Sequence, residues 1–559
     1  MSDVSSHDAV DVAIVGGGVS GLYAGWRLVT ETRTGGSERA VVPPASRRVA
    51  IFEASNRVGG RTCTVTDPAM PHVPIELGAE GFYELDSGFT PGRSDPAHPW
   101  PGDVLVHLLA EKFRLPSEPI GMGNDQNRWF LRGRSFPQGS LSDPRVVPYD
   151  LQWIEGANIA SMLAFACGRV VPGATQRTAQ QWWEGRRTDT FEGRPLHDLT
   201  LADTFASTLS REGQAFVHES AEDELVFDQW NAADAIPEML STLSGNQPIR
   251  LFSDGFQTLP DALAREFRDA GGAIALEHAL ERVSVEHGSS PRWRLRFVLP
   301  DGGRYDVVAA SLILALPVAA LTGVCDRSPE FMDAVGPEFR RDVESVVGVR
   351  ARKTYLRYPA PWWRRFATTS GFVTTDTDLR SLFYFQTEGE RPGSTDPGNQ
   401  HSLLLARLRT YTESPQPYTT GTLPAGIVQP RTVWPGGPGG DGELLRPLSP
   451  QALDTVQRLV CRIHAATDIP APGAGLDIIW DESNPYGFGW CYWKRGVRSW
   501  DVQQRMRRPR GAHRVFVCGC SYSNEQGWVN GALTSAEQVV RESFGVPQAD
   551  WMPFDYLPY

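Results

Sequence analysis

Near the start of the chain, Gly16, Gly18 and Gly21 stand as Gly-x-Gly-x-x-Gly between an apolar run, Asp11 to Val15, and a helix-forming stretch from Val19 to Leu28. Strand, glycine turn and amphipathic helix in that order make the first βα unit of a dinucleotide fold. Gly16 permits the tight turn, Gly18 lets a diphosphate approach the backbone, and Gly21 brings the helix close to the sheet. The diphosphate then rests on the free N–H groups at the helix start, near Val19 and Ser20. A second parallel strand is expected at Val49 to Phe52. It ends in Glu53, whose carboxylate can accept hydrogen bonds from ribose hydroxyls. The stretch that follows, Ala54-Ser-Asn-Arg57-Val-Gly59-Gly60-Arg61, has no use in an NAD site. A flavin site can use it: the glycines let the chain pass close to the diphosphate, and Arg61 offers a forked donor to phosphate oxygens. The gap from Gly18 to Glu53 exceeds the usual spacing of about 20 residues. The excess, about 30–48, is rich in Gly, Pro, Ser and charge, and reads as a surface insertion.

Together these motifs resemble the flavin amine oxidase superfamily, and within it most nearly the L-amino-acid oxidases. The resemblance implies an α/β fold with a Rossmann-like, glutathione-reductase-like FAD-binding domain assembled from 8–95, 246–316 and 506–559. A mixed-sheet substrate domain (96–150 and 317–505) and a helical subdomain over the pocket mouth (151–245) complete it. Other segments match the family in turn. Gly255 to Pro260 resembles its turn into a helix, and Val283 the position whose backbone touches adenine. Ser311 to Pro317 resembles its strand-then-proline segment. Gly78-Ala79-Glu80-Gly81 matches a stretch beside the flavin. Lys353 opens a run ending Pro361-Trp362-Trp363, and the matching lysine in relatives reaches flavin N5 through a water. An ammonium there would stabilise negative charge developing on the ring, the bland alternative being a solvated lysine at a strand end. Trp480 to Tyr492 resembles the family's pocket-lining segment, placing Trp490, Cys491 and Tyr492 against substrate. Val515 to Gly519 leads to Gly527-Trp528-Val529, with Ala532 one turn on. In relatives this segment starts a helix whose amides face flavin O2, and its aromatic, here Trp528, walls the substrate cage. Most of the chain's 17 tryptophans must be core; Trp528 escapes that reading because its whole segment matches.

The pattern breaks in three places. Relatives carry Ala-Gly-Glu, with the Glu on the ribityl chain, where this chain has Cys518-Gly519-Cys520. A thiol is a weak partner for a hydroxyl, so either a lower flavin affinity is expected or Glu525 reaches in from the next turn. The arginine that holds the substrate carboxylate in L-amino-acid oxidases is missing from Gly78 to Phe82. Thr374 to Phe385 resembles those enzymes' run whose tyrosine also holds the carboxylate, which nominates Tyr384, with Arg380 as the nearby cation. Asn127 to Gly133 resembles their early hairpin. Finally, Cys491 lies one residue off the cysteine that carries covalent flavin in some relatives, so FAD is expected to be non-covalent.

A chain of 559 residues is too long for one core. A net charge of −12 argues against nucleic acid or an anionic membrane as partner. The apolar run 307–324 contains Pro317 and splits into a buried strand and a helix instead of a membrane span. The polar, acidic N-terminus lacks the order of a signal peptide, and seven irregularly spaced cysteines suggest neither a disulfide framework nor a metal site. A cytoplasmic enzyme is expected, with a homodimer left open. The absence of a second βαβ site favours oxidase over NADPH-fed chemistry. The expected reaction is oxidation of an L-amino acid, aromatic ones being the first candidates, to an imine and 2-oxo acid, with oxygen reduced to hydrogen peroxide. Two alternatives stand beside it: oxidation of a carboxylate-free amine such as a polyamine, with Glu80, Glu84 and Asp86 meeting a second cation, and a non-catalytic scaffold flavoprotein.

Overall fold

The computed structural model describes residues 9–552 apart from 31–46, 86–101, 122, 156–158, 222–227, 244–247, 287–291, 408–422, 424–426, 428–443, 483, 485 and 510–513. Most of the expected insertion at 30–48, the Gly/Pro run after Trp434, Asp86 and Pro485 therefore lie outside the described residues.

The first sheet orders its strands Ala273–Ala275, Val49–Phe52, Ala9–Val15, Arg304–Leu314, Arg292–Val298 and Ala279–Glu286. Its first four strands run parallel. Val515–Val517 adds a fifth parallel strand beside Leu312–Leu314, because the long strand Arg304–Leu314 outruns its antiparallel neighbour. The apolar run 307–324 thus becomes the end of this strand and a helix, Val318–Arg327, that begins after Pro317. Among the described residues no helix is long and apolar enough to cross a membrane.

Helix Val19–Thr30 is not the half-exposed amphipathic helix its sequence suggests: every residue from Val19 to Val29 is buried. The reason is tertiary. Helices Thr258–Asp269 and Val529–Phe544 pack over it, so a helix apolar on all sides is what the position requires. At its start, Gly16 has φ +107°, and Cβ atoms at Gly16 and Gly21 would overlap the carbonyl oxygens of Ala315 and Gly16. Inside this layer Arg27 is fully buried against Glu537 (3.2 Å) and the Pro547 carbonyl (2.6 Å), while Tyr23 Oη donates to Glu537 (3.0 Å).

The second sheet is mixed, in the order Leu445–Pro447, Ala474–Trp480, Ala351–Tyr358, Ser402–Arg407, Ser381–Thr387, Gly371–Thr375, Arg128–Leu131 and Arg134–Pro137. Against the last two strands of this sheet pack helices Ile159–Val170, Ala179–Gly185, Leu201–Thr208, Arg211–Ser220 and Ala232–Leu243, which share a core with Trp129, Leu131 and Phe136, and two of them are started by capping boxes at Thr178 and Thr200. One assignment shifts. The helices of 318–343, placed by sequence in the substrate domain, bury Leu321, Val324, Phe331 and Phe339 in the core of the first sheet. Their apolar faces match its open side.

Glu537→Ala should leave Arg27 buried without its counter-ion and cost about 3–5 kcal/mol. Urea unfolding of the flavin-loaded protein checks this, and an unchanged midpoint would show that the pair is dispensable.

Candidate active site

Both glycine motifs converge on one surface. Gly59 N–H donates to the Gly17 carbonyl (2.8 Å), and Gly60 packs against Gly18. Arg57 spends its donors on this turn, bonding the carbonyls of Val58, Gly60 and Thr62 and the side chain of Gln257. Glu53 closes the arrangement by accepting from Gly17 N–H (2.6 Å) and Ser55 N–H (2.9 Å). Burial raises its pKa and the backbone donors oppose the shift. Each carboxylate oxygen keeps a second lone pair, which a ribose hydroxyl can use.

Of these residues, Gly18, Glu53, Gly59, Gly60 and Thr62 line a cavity of about 940 Å³ that runs from the first sheet to the second. That volume is at the upper end of the ~300–1,000 Å³ usual for ligand pockets, room for a dinucleotide and a small substrate. A Cβ at Gly18 would meet nothing within 4 Å, so the backbone there is open to the cavity, as a diphosphate requires. The adenosine end differs from expectation. Val283 is buried and its N–H donates to Ser328 Oγ (2.9 Å), which removes it from the cavity. His278, Ala279 and Leu280, at the start of the same strand, line the wall instead. A bulge between Leu280 and Arg282 separates the two stretches. Together the glycine loops, Glu53 and this wall fit FAD. When bound, FAD supplies the two-electron acceptor.

Further along the cavity, Arg61 donates to the carbonyls of Phe488 (3.1 Å) and Gly489 (3.0 Å) and to Cys520 Sγ (3.0 Å). The thiol standing where relatives carry glutamate is therefore tied to the arginine of the second glycine motif. Glu525 does not replace that glutamate. It accepts from Asn530 Nδ2 (2.7 Å), is absent from the lining, and burial raises its pKa to about 7. Cys491 lines the cavity, but burial lifts its thiol to about 11, which disfavours the nucleophilic thiolate.

Lys353 is where the two sheets meet. Its ammonium donates to the carbonyls of Glu76 (3.1 Å) and Gly78 and pairs with Glu80 (2.6 Å). All three hydrogens are thus engaged within the protein. Burial lowers the lysine's pKa and Glu80 opposes the shift. Glu80 also takes Arg407 (3.1 Å), and despite its burial the two cations hold its pKa down at about 2. Strand register makes the triad: Arg407 is the cross-strand partner of Lys353 on one side and of Ser381 on the other. The cluster carries a net charge of +1.

Trp490, Tyr492 and Trp528 all line the cavity. Trp528 precedes helix Val529–Phe544, packs at a tilt against Tyr83 with ring centroids 4.9 Å apart, and donates from Nε1 to Glu238 (2.9 Å). Val529 and Ala532 bring the helix start to the cavity, with Gly519 and Gly527 beside them. Trp230 packs on Tyr492 at 5.8 Å, so the helical subdomain contributes to the wall.

Tyr384 does not. It is 1% exposed, stacks on Trp363 and bonds to His464 Nε2 on the far face of the sheet. Strand alternation explains this, since Phe383 and Phe385 point to the cavity and the residue between them cannot. Arg380 does line the cavity, and its guanidinium donates to the carbonyls of His218 (3.2 Å) and Ala221. Sequence reasoning missed Arg407, Glu238, Met239 and Trp230. Only the period-2 rule, which would have chosen the phenylalanines over Tyr384, was available to correct it. The missing family arginine has a steric basis too: a Cβ at Gly81 would lie 2.6 Å from Ile249 Cγ2 and 2.8 Å from the Arg250 carbonyl.

A dinucleotide sheet, a mixed substrate sheet, and a shared cavity holding a lysine and an aromatic wall define an FAD-dependent amine oxidase. The chain belongs to the flavin-containing amine oxidoreductases, whose family model matches residues 19–542. It is 26% identical to aplysianin-A of Aplysia kurodai, an alignment covering 97% of this chain and 91% of that protein. It is 24% identical to achacin of Lissachatina fulica (96% and 93%) and 24% identical to an L-amino-acid oxidase of Bungarus fasciatus (67% and 62%). Among solved structures, a putrescine oxidase variant has the same fold with a TM-score of 0.63 at 14% identity, covering 96% of this chain and 99% of that one. Cyclohexylamine oxidase from Brevibacterium oxydans IH-35A gives 0.59 at 18% identity, with the same coverage.

Tyr384→Phe should leave KM unchanged and lower stability by about 1–3 kcal/mol, because His464 loses its buried donor; a raised KM would return the tyrosine to the pocket. Lys353→Met should slow reoxidation of the flavin by oxygen about 10²–10³-fold, the usual loss for one preorganised charge. Stopped-flow traces with an unchanged oxidative half-reaction would reduce Lys353 to a structural strut.

Proposed function

We propose that this amine oxidase deaminates an L-amino acid, giving an imine that water hydrolyses to the 2-oxo acid, with oxygen reduced to hydrogen peroxide. The observation that carries the reading is the pair of guanidinium groups, Arg380 and Arg407, lining the same cavity as Lys353. A substrate carboxylate brought into this cavity needs a forked donor, and these two arginines supply one where the family's usual position, Gly81, has no room for it. Phe372, Phe383 and Phe385 beside them give an apolar surface for the side chain. The likeness to the L-amino-acid oxidase of Bungarus fasciatus supports this reading.

The chain's residues have separable tasks. The arginines fix the carboxylate end, and the wall of Trp490, Tyr492 and Trp528 limits how the amine can lie. Lys353, held by two carbonyls and Glu80, keeps positive charge fixed beside the reacting region at no reorganisation cost. Of the carboxylates expected to greet a second cation, Glu80 is taken by Lys353 and Arg407, and Glu84 pairs with Arg250 (2.9 Å). Non-covalent FAD is part of the same proposal, on the strength of the raised Cys491 thiol. So is cytoplasmic residence, supported by seven free cysteine thiols.

A peroxide assay over L-amino acids and their decarboxylated amines tests the reading, with aromatic L-amino acids tried first. Wild type should turn over an amino acid and not the matching amine. Arg407→Met should cost the amino acid about 2–5 kcal/mol in kcat/KM, roughly 30- to several-thousand-fold. Equal turnover of the matched pair would promote the carboxylate-free amine instead. Acid treatment should release intact FAD, and flavin retained on the denatured chain would overturn the non-covalent assignment.

A further inference from the structure

An amine reaches an oxidase mostly as an ammonium ion, and it must lose a proton before its nitrogen lone pair can assist hydride loss from Cα. Few cavity-lining groups can take that proton. Glu53 and His278 belong to the adenosine end, together with Asp326 on helix Val318–Arg327. Glu80 is clamped between Lys353 and Arg407, whose charges keep it ionised and make it a poor base. Lys353 itself, as an ammonium with all three hydrogens donated, has no lone pair to offer.

Glu238 is different. It comes from helix Ala232–Leu243 of the helical subdomain, lines the cavity next to Met239, and accepts from Nε1 of Trp528, the aromatic that walls the substrate. That bond engages Oε1 and fixes the carboxylate's orientation. The family likeness supplies no such residue, and no base was expected from the sequence.

We propose that Glu238 is the base that takes a proton from the substrate's ammonium group. Its carboxylate accepts one proton, leaving a neutral amine. The hydride then leaves Cα with two electrons for the flavin, the oxidant of the established activity, while the nitrogen lone pair forms the C=N bond. The proton on Glu238 passes to solvent before the next turnover. This inference rests on the amine oxidase class and not on the choice of amino acid over amine.

The surroundings suit the task. Burial raises the Glu238 pKa to about 7, Trp528 opposes that shift, and the nearby charge of Glu525 adds to it. Asp103, before helix Val104–Phe113, completes the acidic surroundings: its own pKa is raised well above the usual range by burial, with Glu525 and Glu238 adding to the shift. On the same helix, Asp234 is neutralised by Arg186. The other elements packed against this helix carry Cys167, Arg169, His197, Asp198 and Asp203, while the shift is set by burial, Trp528 and Glu525. The base is therefore protonated below about pH 7 and ready above it.

The limiting rate of anaerobic flavin reduction should fall with unit slope below about pH 7 in wild type. Glu238→Gln keeps an acceptor for Trp528 and removes the titration. It should flatten that limb and lower the rate at pH 8 by about 10²-fold, the lower end for a positioned base. Glu525→Gln should move the limb to lower pH and keep the high-pH rate. Difference infrared spectra, taken across the same pH range on protein without substrate, should contain one carboxylic-acid carbonyl band that Glu238→Gln abolishes. A limb that persists in Glu238→Gln, one that vanishes in Glu525→Gln, or an unchanged infrared titration in Glu238→Gln would each overturn the assignment.

Discussion

The ion triad of Lys353, Glu80 and Arg407 is the constraint on which the rest of the site depends. Glu80 belongs to the segment that leaves the dinucleotide domain, while Lys353 and Arg407 sit on adjacent strands of the substrate sheet. Burying the Lys353 ammonium beside two half-buried charges costs several kcal/mol unless it is paired and its hydrogens are satisfied. Here Lys353 finds two carbonyls as well as the carboxylate, and Glu80 accepts from two cations. Any slip of one sheet against the other would strand a buried charge. The triad therefore fixes how the flavin domain meets the substrate sheet, and its residual unit of positive charge lies on the cavity wall.

From that fixed point the cavity acquires two poles of opposite sign. Arg407, at the end of strand Ser402–Arg407, and Arg380, just before the neighbouring strand Ser381–Thr387, line it on one side, and Glu238 lines it from the helical subdomain beside Trp528. An amino acid carries both charges, so a cavity with a forked cation and a carboxylate complements it better than either group alone would. Holding the substrate at both ends also restricts its rotation before the Cα–H bond breaks, which is where much of the catalytic advantage of a bound substrate arises.

How much of this was legible in the sequence follows from the range of each interaction. The dinucleotide turn was legible because its requirements are local: a positive φ at Gly16 and backbone contact at Gly21 admit only glycine. Glu53, Arg61, Lys353 and Trp528 were legible as members of contiguous segments. Val283 and Tyr384 failed for a different reason, since a segment can match while one bulge or one step of strand alternation turns a side chain away. Arg407 and Glu238 gave no local signal at all. Their roles come from strand pairing and from a helix docking against Trp528, contacts between residues 290 positions apart in the second case. The buried Arg27–Glu537 pair was equally silent, because an arginine in an apolar helix announces exposure unless its distant partner is known.

The most direct measurement is a crystal structure of the FAD-loaded protein with an L-amino acid bound under anaerobic conditions. The account predicts the carboxylate within hydrogen-bond reach of Arg407 or Arg380 and the nitrogen facing Glu238 beside Trp528. A carboxylate bound elsewhere, with both arginines still turned onto their protein partners, would contradict the two-pole description and leave the cavity to a different class of amine.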